Sequence, residues 1–172
     1  MLNLYKINPD YLKFMHRLDY RINVKNNRPF VGILTMVNGI RYVLPLTSQT
    51  TSVRRAMGKE KRAAIITTFV KDSKGNEISN ILYNNMFPVK SGTYEMMNID
   101  PRKDTYETNE IRYIRKYSAE IIKKAEKVHY NRIMKRNPFL LKACCDFQKL
   151  ENSYLDFEFP SENTADGEAP CS

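Results

Sequence analysis

The sequence is poor in the residues from which metal centres and disulfide frameworks are built. It contains two histidines, His16 and His129, far apart in the chain, and three cysteines, of which Cys144 and Cys145 are adjacent. Zinc sites and disulfide frameworks both require spaced sets of such residues. Clustered Asp and Glu residues, which would indicate a magnesium site, are also missing. The sequence therefore predicts no metal, no cofactor and no structural disulfide.

Long apolar runs are missing as well. No stretch approaches the ~20 apolar residues of a membrane-spanning helix, and the N-terminus lacks the apolar core of a signal peptide. We therefore expect a cytoplasmic protein without a membrane partner. Hydrophobic residues make up 42% of the 172 positions, which is enough to form one domain with a buried core.

Charge is distributed unevenly along the chain. The net charge is +9, and residues 156–172 contain five acidic residues and no basic one, so residues 1–155 carry +14. A body this basic is typical of proteins that bind a polyanion, because cations displace counterions from phosphates. The alternative is a solvated basic surface. We predict a single domain over residues 1–157 and an acidic, disordered tail over residues 158–172.

A β-hairpin is the clearest local pattern. Residues 30–37 and 40–46 are rich in β-forming side chains and flank Asn38-Gly39, a pair that favours a type I′ turn. The second strand ends at Thr47-Ser48, and a basic loop follows. Two hydroxyls at a strand end, beside a cationic loop, indicate a place where a phosphodiester could bind.

The remaining segments predict an α+β domain built around a strongly curved antiparallel sheet. We expect a strand over residues 2–7, a helix capped by Asn8, a loop over 19–28, a strand over 63–70, one or two strands over 78–89 and an edge strand over 94–99. Helical spacing then predicts a long helix over residues 105–136 and a shorter terminal helix over 139–157, which would contain Cys144 and Cys145. The pattern does not distinguish a small barrel from an open sheet.

Five segments of the chain carry a resemblance to a known family. They are, in chain order, residues 4–11, residues 30–48 with Tyr42-Val-Leu-Pro-Leu-Thr-Ser48, residues 82–89, residues 109–115 and residues 145–154. Together they resemble the type III toxin–antitoxin endoribonucleases of the ToxN/AbiQ/CptN group. The resemblance implies a compact SH3-like barrel related to the MazF/Kid toxins. It also implies a metal-independent endoribonuclease that acts as a toxin in abortive phage infection.

The same resemblance implies RNA as the partner. The toxin would process a repeat-derived, pseudoknot-like RNA antitoxin, which would then inhibit it, and protein and RNA would assemble into a closed hetero-oligomer. Cellular and phage RNAs would be the substrates. Two alternatives remain open, namely a non-catalytic RNA-binding module and a protein-interaction domain whose charge only serves solubility.

Thr47 and Ser48 are the first catalytic candidates. RNA carries its own nucleophile, the ribose 2′-hydroxyl, so an enzyme must align it with the phosphate, stabilise the charged phosphorane and manage two protons. Hydroxyls and a backbone N–H at a strand end could donate to the phosphate oxygens, and the matching Thr-Ser pair is catalytic in the family. The alternative is ordinary turn chemistry at a strand end.

Arg28 and Tyr11 are further candidates that the resemblance implies. Arg28 precedes the first hairpin strand, where the family has a basic residue, and its guanidinium is expected to clamp phosphate rather than to act as a base. The Tyr11 phenol could reach the site, or the ring could lie in the buried stripe of its helix. The chain departs from the family at Thr50, where lysine is common. Arg54, Arg55 or Lys59 could supply the charge from a longer loop, and the proton donor stays unassigned.

Further side chains could contact the rest of the RNA. The candidates are Arg54, Arg55 and Lys59 in the basic loop, Asn84 and Asn85 in the mid-chain strand, and Arg112, Tyr113, Arg115 and Lys116 in the late helix. Tyr113 could stack on an unpaired base. The alternatives are a structural role in the sheet for the two asparagines and a merely solvated helix face for the cations.

Overall fold

A single antiparallel sheet organises the chain. The structure is a computed structural model that describes residues 1–24, 28–48 and 64–161. The strands in these ranges are β1 (Leu4–Ile7), β2 (Phe30–Val37), β3 (Ile40–Thr47), β4 (Thr67–Lys71), β5 (Glu77–Leu82), β6 (Phe87–Pro88) and β7 (Tyr94–Met96). Their order is β4-β5-β3-β2-β1-β7, with β6 beside β3. The predicted α+β class is confirmed, and the MazF-like barrel stays a prediction.

The hairpin β2–β3 is the centre of the sheet. Asn38 and Gly39 have φ of 48° and 78°, as a type I′ turn requires, so this prediction is confirmed. The register places Gly32 opposite Pro45. A Cβ atom on Gly32 would lie 2.4 Å from Cγ2 of Val43 and 2.7 Å from the carbonyl oxygen of Leu44, so only glycine permits this close approach of the strands.

Strand β3 pairs with two different strands along its outer edge. Tyr42 and Val43 pair with β6, whereas Leu46 and Thr47 pair with β5. The 3₁₀ turn Tyr83–Asn85 separates β5 from β6. The second of the two alternatives predicted for residues 78–89 is thus the one observed, namely two strands, and Asn84 and Asn85 lie in the turn between them rather than in a strand. The Thr47 end of β3 therefore lies beside β5, and the Tyr42 end lies beside β6.

Helices cover the sheet and differ from the sequence prediction at three places. Residues 64–66 are helical, so the strand predicted over residues 63–70 begins only at Thr67. The other α-helices of the described ranges have defined bounds at both ends. They are α1 (Pro9–Leu18), α2 (Thr105–Lys116), α3 (Ser118–Ile133), α4 (Pro138–Ala143) and α5 (Phe147–Ser153). The predicted cap of α1 is confirmed, because Oδ1 of Asn8 accepts from the N–H groups of Asp10 and Tyr11 at 2.9 and 3.0 Å. None of the helices in the described ranges combines the length and the apolar character needed to cross a bilayer.

The predicted continuous helix over residues 105–136 is wrong. Tyr117 has φ of −108° and ψ of 24° and separates α2 from α3. Its ring packs on that of Tyr113 at a centroid distance of 4.5 Å and lies 5.3 Å from Nζ of Lys116. The backbone thus leaves the helical conformation at Tyr117, where the two rings pack, and the hydrophobic spacing of the sequence does not predict this break.

The predicted terminal helix over residues 139–157 is also wrong. Cys144 is extended, with φ of −97° and ψ of 153°, and the N–H of Cys145 donates to the carbonyl of Asn84 at 2.8 Å. This tertiary hydrogen bond replaces the helical one and separates α4 from α5. Both thiols are buried and free, and burial raises the pKa of Cys144 to about 12.

Candidate active site

The end of β3 opens into a small cavity. Thr47 pairs with Asn80 of β5 and is half-buried. Ser48 follows it and is exposed. The cavity has a volume of about 130 Å³ and is lined by Pro29, Val31, Leu46, Thr47, Ser48, Met97, Tyr106, Glu107 and Glu110. The predicted hydroxyl pair therefore lines a surface cavity, where a ligand could reach it.

Helix α2 contributes an acidic residue to the lining of this cavity, which we call the Ser48 cavity. Glu110 is only 4% exposed, and burial raises the pKa of its carboxyl, although contacts with Ser79 and Tyr106 act in the other direction. The phenol of Tyr106 donates to the carbonyl of Ile78 at 2.8 Å. Burial, followed by the charge of Glu110, raises the pKa of Tyr106 to about 12.

The strand and the helix thus contribute different chemical groups to the cavity lining. β3 contributes hydroxyls, and α2 contributes carboxyls and a phenol. Glu110 is not among the candidates that the sequence predicts. The available signal was the spacing of Tyr106 and Glu110, which lie four residues apart and so share one side of α2.

Arg28 lines a second, larger cavity next to the first. This cavity has a volume of about 760 Å³, and its lining includes the cations Lys6, Lys13 and Arg28 together with Tyr94. Pro29 lines both cavities. Arg28 and Ser48 therefore line neighbouring cavities that share Pro29. A bound nucleic acid that crossed Pro29 would contact the guanidinium on one side and the hydroxyls on the other.

Tyr11 belongs to the protein core. Its side chain is fully buried, its phenol donates to the carbonyl of Pro88 at 2.8 Å, and burial raises its pKa. The ring packs edge-on against Phe157 at 5.1 Å. Of the two roles that the sequence left open for Tyr11, the structure favours the buried one.

Asn84 and Asn85 hold segments of the chain together. Nδ2 of Asn84 donates to the carbonyl of Ala143 at 3.3 Å, and Nδ2 of Asn85 donates to the carbonyl of Arg21. These contacts favour the structural alternative for both amides. Asn80, which sequence reasoning missed, is fully buried beside Thr47, and neither atom of its amide has a hydrogen-bond partner among the described residues.

The cations of α2 differ in what they contact. Arg112 and Lys116 are exposed, Nη1 of Arg112 donates to Oδ1 of Asn109 within the helix at 3.3 Å, and Nζ of Lys116 lies over the ring of Tyr117. Arg115 donates instead to the carbonyl of Leu2 and to Oδ1 of Asn3, and Tyr113 packs on Tyr117. At 100° per residue, Arg112 lies on roughly the opposite side of α2 from Glu110. The cationic pair and the Ser48 cavity are therefore on different sides of this helix.

Some residues singled out in the sequence lie in a part of the chain that the structure does not describe. Arg54, Arg55, Lys59 and Thr50 lie outside the described residues. In the part of the chain that the structure describes, no group of three or more His, Cys, Asp or Glu side chains is arranged to hold a metal ion.

Comparison with known proteins identifies the family. The sequence model of the family described as toxin ToxN of the type III toxin–antitoxin system matches residues 3–155, most of the chain. The chain belongs to the ToxN toxin family. The family resemblance seen in the five sequence segments is thereby confirmed.

Curated relatives in the ToxN family agree over nearly the whole length. The chain is 24% identical over 167 residues to the endoribonuclease ToxN of Bacillus thuringiensis subsp. kurstaki, which covers 88% of this chain and 82% of that protein. It is 23% identical over 157 residues to the endoribonuclease AbiQ of Lactococcus lactis subsp. lactis, with 87% and 86% covered.

Solved structures show the same fold. A structure of AbiQ, a lactococcal anti-phage endoribonuclease of a type III system, superposes with a TM-score of 0.78 at 22% identity and covers 90% of this chain and 96% of that one. A structure from work on selective toxin inhibition by a non-coding RNA pseudoknot in type III systems gives a TM-score of 0.75 at 23% identity, with 90% and 96% covered. At these identities the likeness establishes the fold.

Proposed function

We propose that this chain is an endoribonuclease toxin of a type III toxin–antitoxin system that cleaves RNA without a metal ion. The observation that carries the proposal is the exposed Ser48 at the end of β3, in a cavity that shares the lining residue Pro29 with the cationic cavity of Arg28. Membership in the ToxN family supports it, because the relatives of known activity are named endoribonucleases.

The reaction we propose uses the substrate's own hydroxyl. The ribose 2′-oxygen attacks the adjacent phosphorus, a 2′-O–P bond forms, and the bond from phosphorus to the 5′-oxygen breaks. The products are a 2′,3′-cyclic phosphate and a 5′-hydroxyl. Ser48 and Thr47 would donate hydrogen bonds to the non-bridging oxygens as their charge grows, and Arg28 would hold the phosphate in line for attack.

An RNA antitoxin follows from the same proposal. One structural neighbour comes from work on toxin inhibition by an RNA pseudoknot, and another from work on a processed non-coding RNA that regulates an antiviral system. For this chain we propose a repeat-derived RNA that the toxin cuts and that then covers the cationic surface, in a closed protein–RNA assembly in the cytoplasm. Short tandem repeats in the DNA upstream of the gene would be consistent with this.

Incubation of the purified protein with cellular RNA in EDTA tests the enzymatic function. We expect cleavage that leaves cyclic-phosphate ends and is lost in Ser48→Ala. Ser153→Ala, which removes a hydroxyl at the end of α5, is the matched control and should cleave normally. Retention of RNA without cleavage would favour the RNA-binding module, and neither retention nor cleavage would favour the protein-interaction domain.

A further inference from the structure

The departing 5′-oxygen needs a proton, and neither Arg28 nor Tyr11, the described candidates outside the hydroxyl pair, is suited to supply it. Arg28 hardly deprotonates and is a poor proton carrier. The usual lysine is replaced by Thr50. Tyr11 is buried and donates to the carbonyl of Pro88. Among the described residues, the candidate for the proton donor is therefore another group that lines the Ser48 cavity.

Glu110 meets the geometric requirement. It lines the same cavity as Thr47 and Ser48, and it is held there by α2, a regular helix packed against β4 and β5. Because the cavity is only about 130 Å³ in volume, a phosphate that contacts Ser48 would lie close to this carboxyl. A group on a rigid helix keeps its position through a reaction cycle better than one on a loop.

We propose that Glu110 is the general acid that protonates the leaving 5′-oxygen. The inference depends on the proposed function, since it assigns a step of that reaction. The 2′-hydroxyl proton passes to solvent water or hydroxide, the 2′-O–P bond forms, and the P–O5′ bond breaks as the carboxyl proton moves to the 5′-oxygen. Glu110 is left as a carboxylate and regains its proton from water.

The surroundings of Glu110 favour the protonated form that this role needs. Burial is the largest influence and raises the pKa of the carboxyl, and the nearby charge of Glu107 acts in the same direction. Ser79 of β5 and Tyr106 of α2, both uncharged, act in the opposite direction and lower the pKa.

A bound phosphate would also raise the pKa of Glu110. Negative charge on the phosphorane next to a carboxyl further disfavours the carboxylate. A neutral carboxylic acid avoids repulsion of the substrate and can donate a hydrogen bond to it. An acid is thus compatible with an RNA site only in the form that can give up a proton.

The test compares two substrates that differ only in the leaving group. One is a short RNA that contains a cleavage site of the wild-type protein, and the other has sulfur in place of the bridging 5′-oxygen at that bond. A thiolate leaves without being protonated, so loss of a general acid no longer matters. We expect Glu110→Gln to slow cleavage of ordinary RNA by about 10²–10³-fold and of the sulfur substrate by less than about threefold.

The possible outcomes separate the two proposals. Equal losses on both substrates, or full activity of Glu110→Gln on ordinary RNA, would overturn the assignment of Glu110 and leave the nuclease proposal intact. Failure of the wild-type protein to cleave either substrate would overturn the nuclease proposal itself. Glu126→Gln makes the same chemical change at an exposed position of α3 and should not alter either rate.

A second variant and a pH profile guard against a folding defect. Glu110→Asp keeps a carboxyl and should recover part of the activity on ordinary RNA that Glu110→Gln loses. If Glu110→Gln does not fold, Glu110→Asp must still lose more on ordinary RNA than on the sulfur substrate. The ratio of wild-type to Glu110→Gln rates should fall as pH rises through the pKa of Glu110, because the wild-type acid deprotonates there. A constant ratio would contradict the proposal.

Discussion

The phenol of Tyr42 donates a hydrogen bond of 2.6 Å to Oε1 of Glu151. The same carboxylate oxygen lies 2.6 Å from Nε2 of His129. Tyr42 is in β3, Glu151 in α5 and His129 in α3, so one carboxylate joins the sheet to two helices. Burial acts to raise the pKa of Glu151, but the hydrogen bonds from His129 and Tyr42 together outweigh it, and the net pKa is lowered.

Tyr42→Phe should therefore weaken the fold in a pH-dependent manner. At neutral pH we expect the free energy of unfolding to fall by about 2 kcal/mol, the usual effect of losing a hydrogen bond to a charged group. A carboxyl whose pKa is lowered by folding stabilises the protein above its unfolded-state pKa, and this stabilisation is lost as pH falls through the folded-state pKa. Urea unfolding from pH 7 to pH 3 should show the difference between the two proteins shrinking.

Tyr83→Phe is the matched control for this pH dependence. The phenol of Tyr83 donates to the neutral hydroxyl of Thr68 at 3.1 Å, so its removal should cost stability equally over this pH range. A Tyr42→Phe effect that stayed constant with pH would show that the charge of Glu151 does not contribute to the hydrogen bond.

Local chemistry explains which parts of the fold could be predicted from the sequence. The Asn38-Gly39 turn and the Asn8 cap each depend on a few neighbouring residues, and both are confirmed. The break at Cys144 depends on a contact between distant parts of the chain, the hydrogen bond from Cys145 to Asn84, and the break at Tyr117 accompanies the packing of its ring on Tyr113. Periodicity contains no information on such contacts, so both breaks were missed.

In the candidate site, too, the residues that depend on a local pattern could be predicted and those that depend on tertiary packing could not. Thr47 and Ser48 could be found because they end a well-defined strand. Glu110 could not, because it is separated from Ser48 by more than 60 positions in the sequence and reaches the cavity only through the packing of α2 on the sheet. Tyr11 matched the family by position, yet its burial results from the packing of α1 against the core.

Arg28 should matter for the rate of RNA cleavage more than for stability. It is exposed, so Arg28→Ala should leave the urea midpoint unchanged. Loss of a phosphate clamp should lower kcat/KM for RNA by about 10²-fold, the range seen when one group that stabilises transition-state charge is removed. Arg28→Lys should recover part of this loss, because charge is kept and the bidentate geometry is not.

Arg102→Ala is a suitable control for Arg28. Arg102 is also exposed and lies in the turn before α2, away from the lining of both cavities. Steady-state cleavage of a defined RNA measures both variants. An Arg28→Ala protein that cleaved as fast as the wild type would remove the guanidinium from the proposed mechanism and leave Ser48 and Thr47 unaffected.

The cations of α2 should separate into RNA contacts and structural ties. Arg112, Arg115 and Lys116 are all exposed, but Arg115 donates to Leu2 and Asn3 in a distant segment, whereas Arg112 donates to Asn109 within its own helix. If Arg112 and Lys116 bind phosphates, replacing both by Gln should reduce the slope of log K against log salt by about 1.4, since each contact to single-stranded RNA contributes about 0.7. Arg115→Gln should lower the melting temperature instead and leave the slope unchanged.

Binding to a labelled single-stranded RNA, measured over a salt series with the Ser48→Ala protein, tests this division without interference from cleavage. Lys74→Gln, an exposed cation in the turn between β4 and β5, provides the control and should not change the slope. Arg112 and Lys116 lie on a different side of α2 from Glu110, so a reduced slope would require the bound RNA to extend around this helix. An unchanged slope in the double variant would assign the pair to the solvated face of α2 and leave RNA binding to the other cations of the chain.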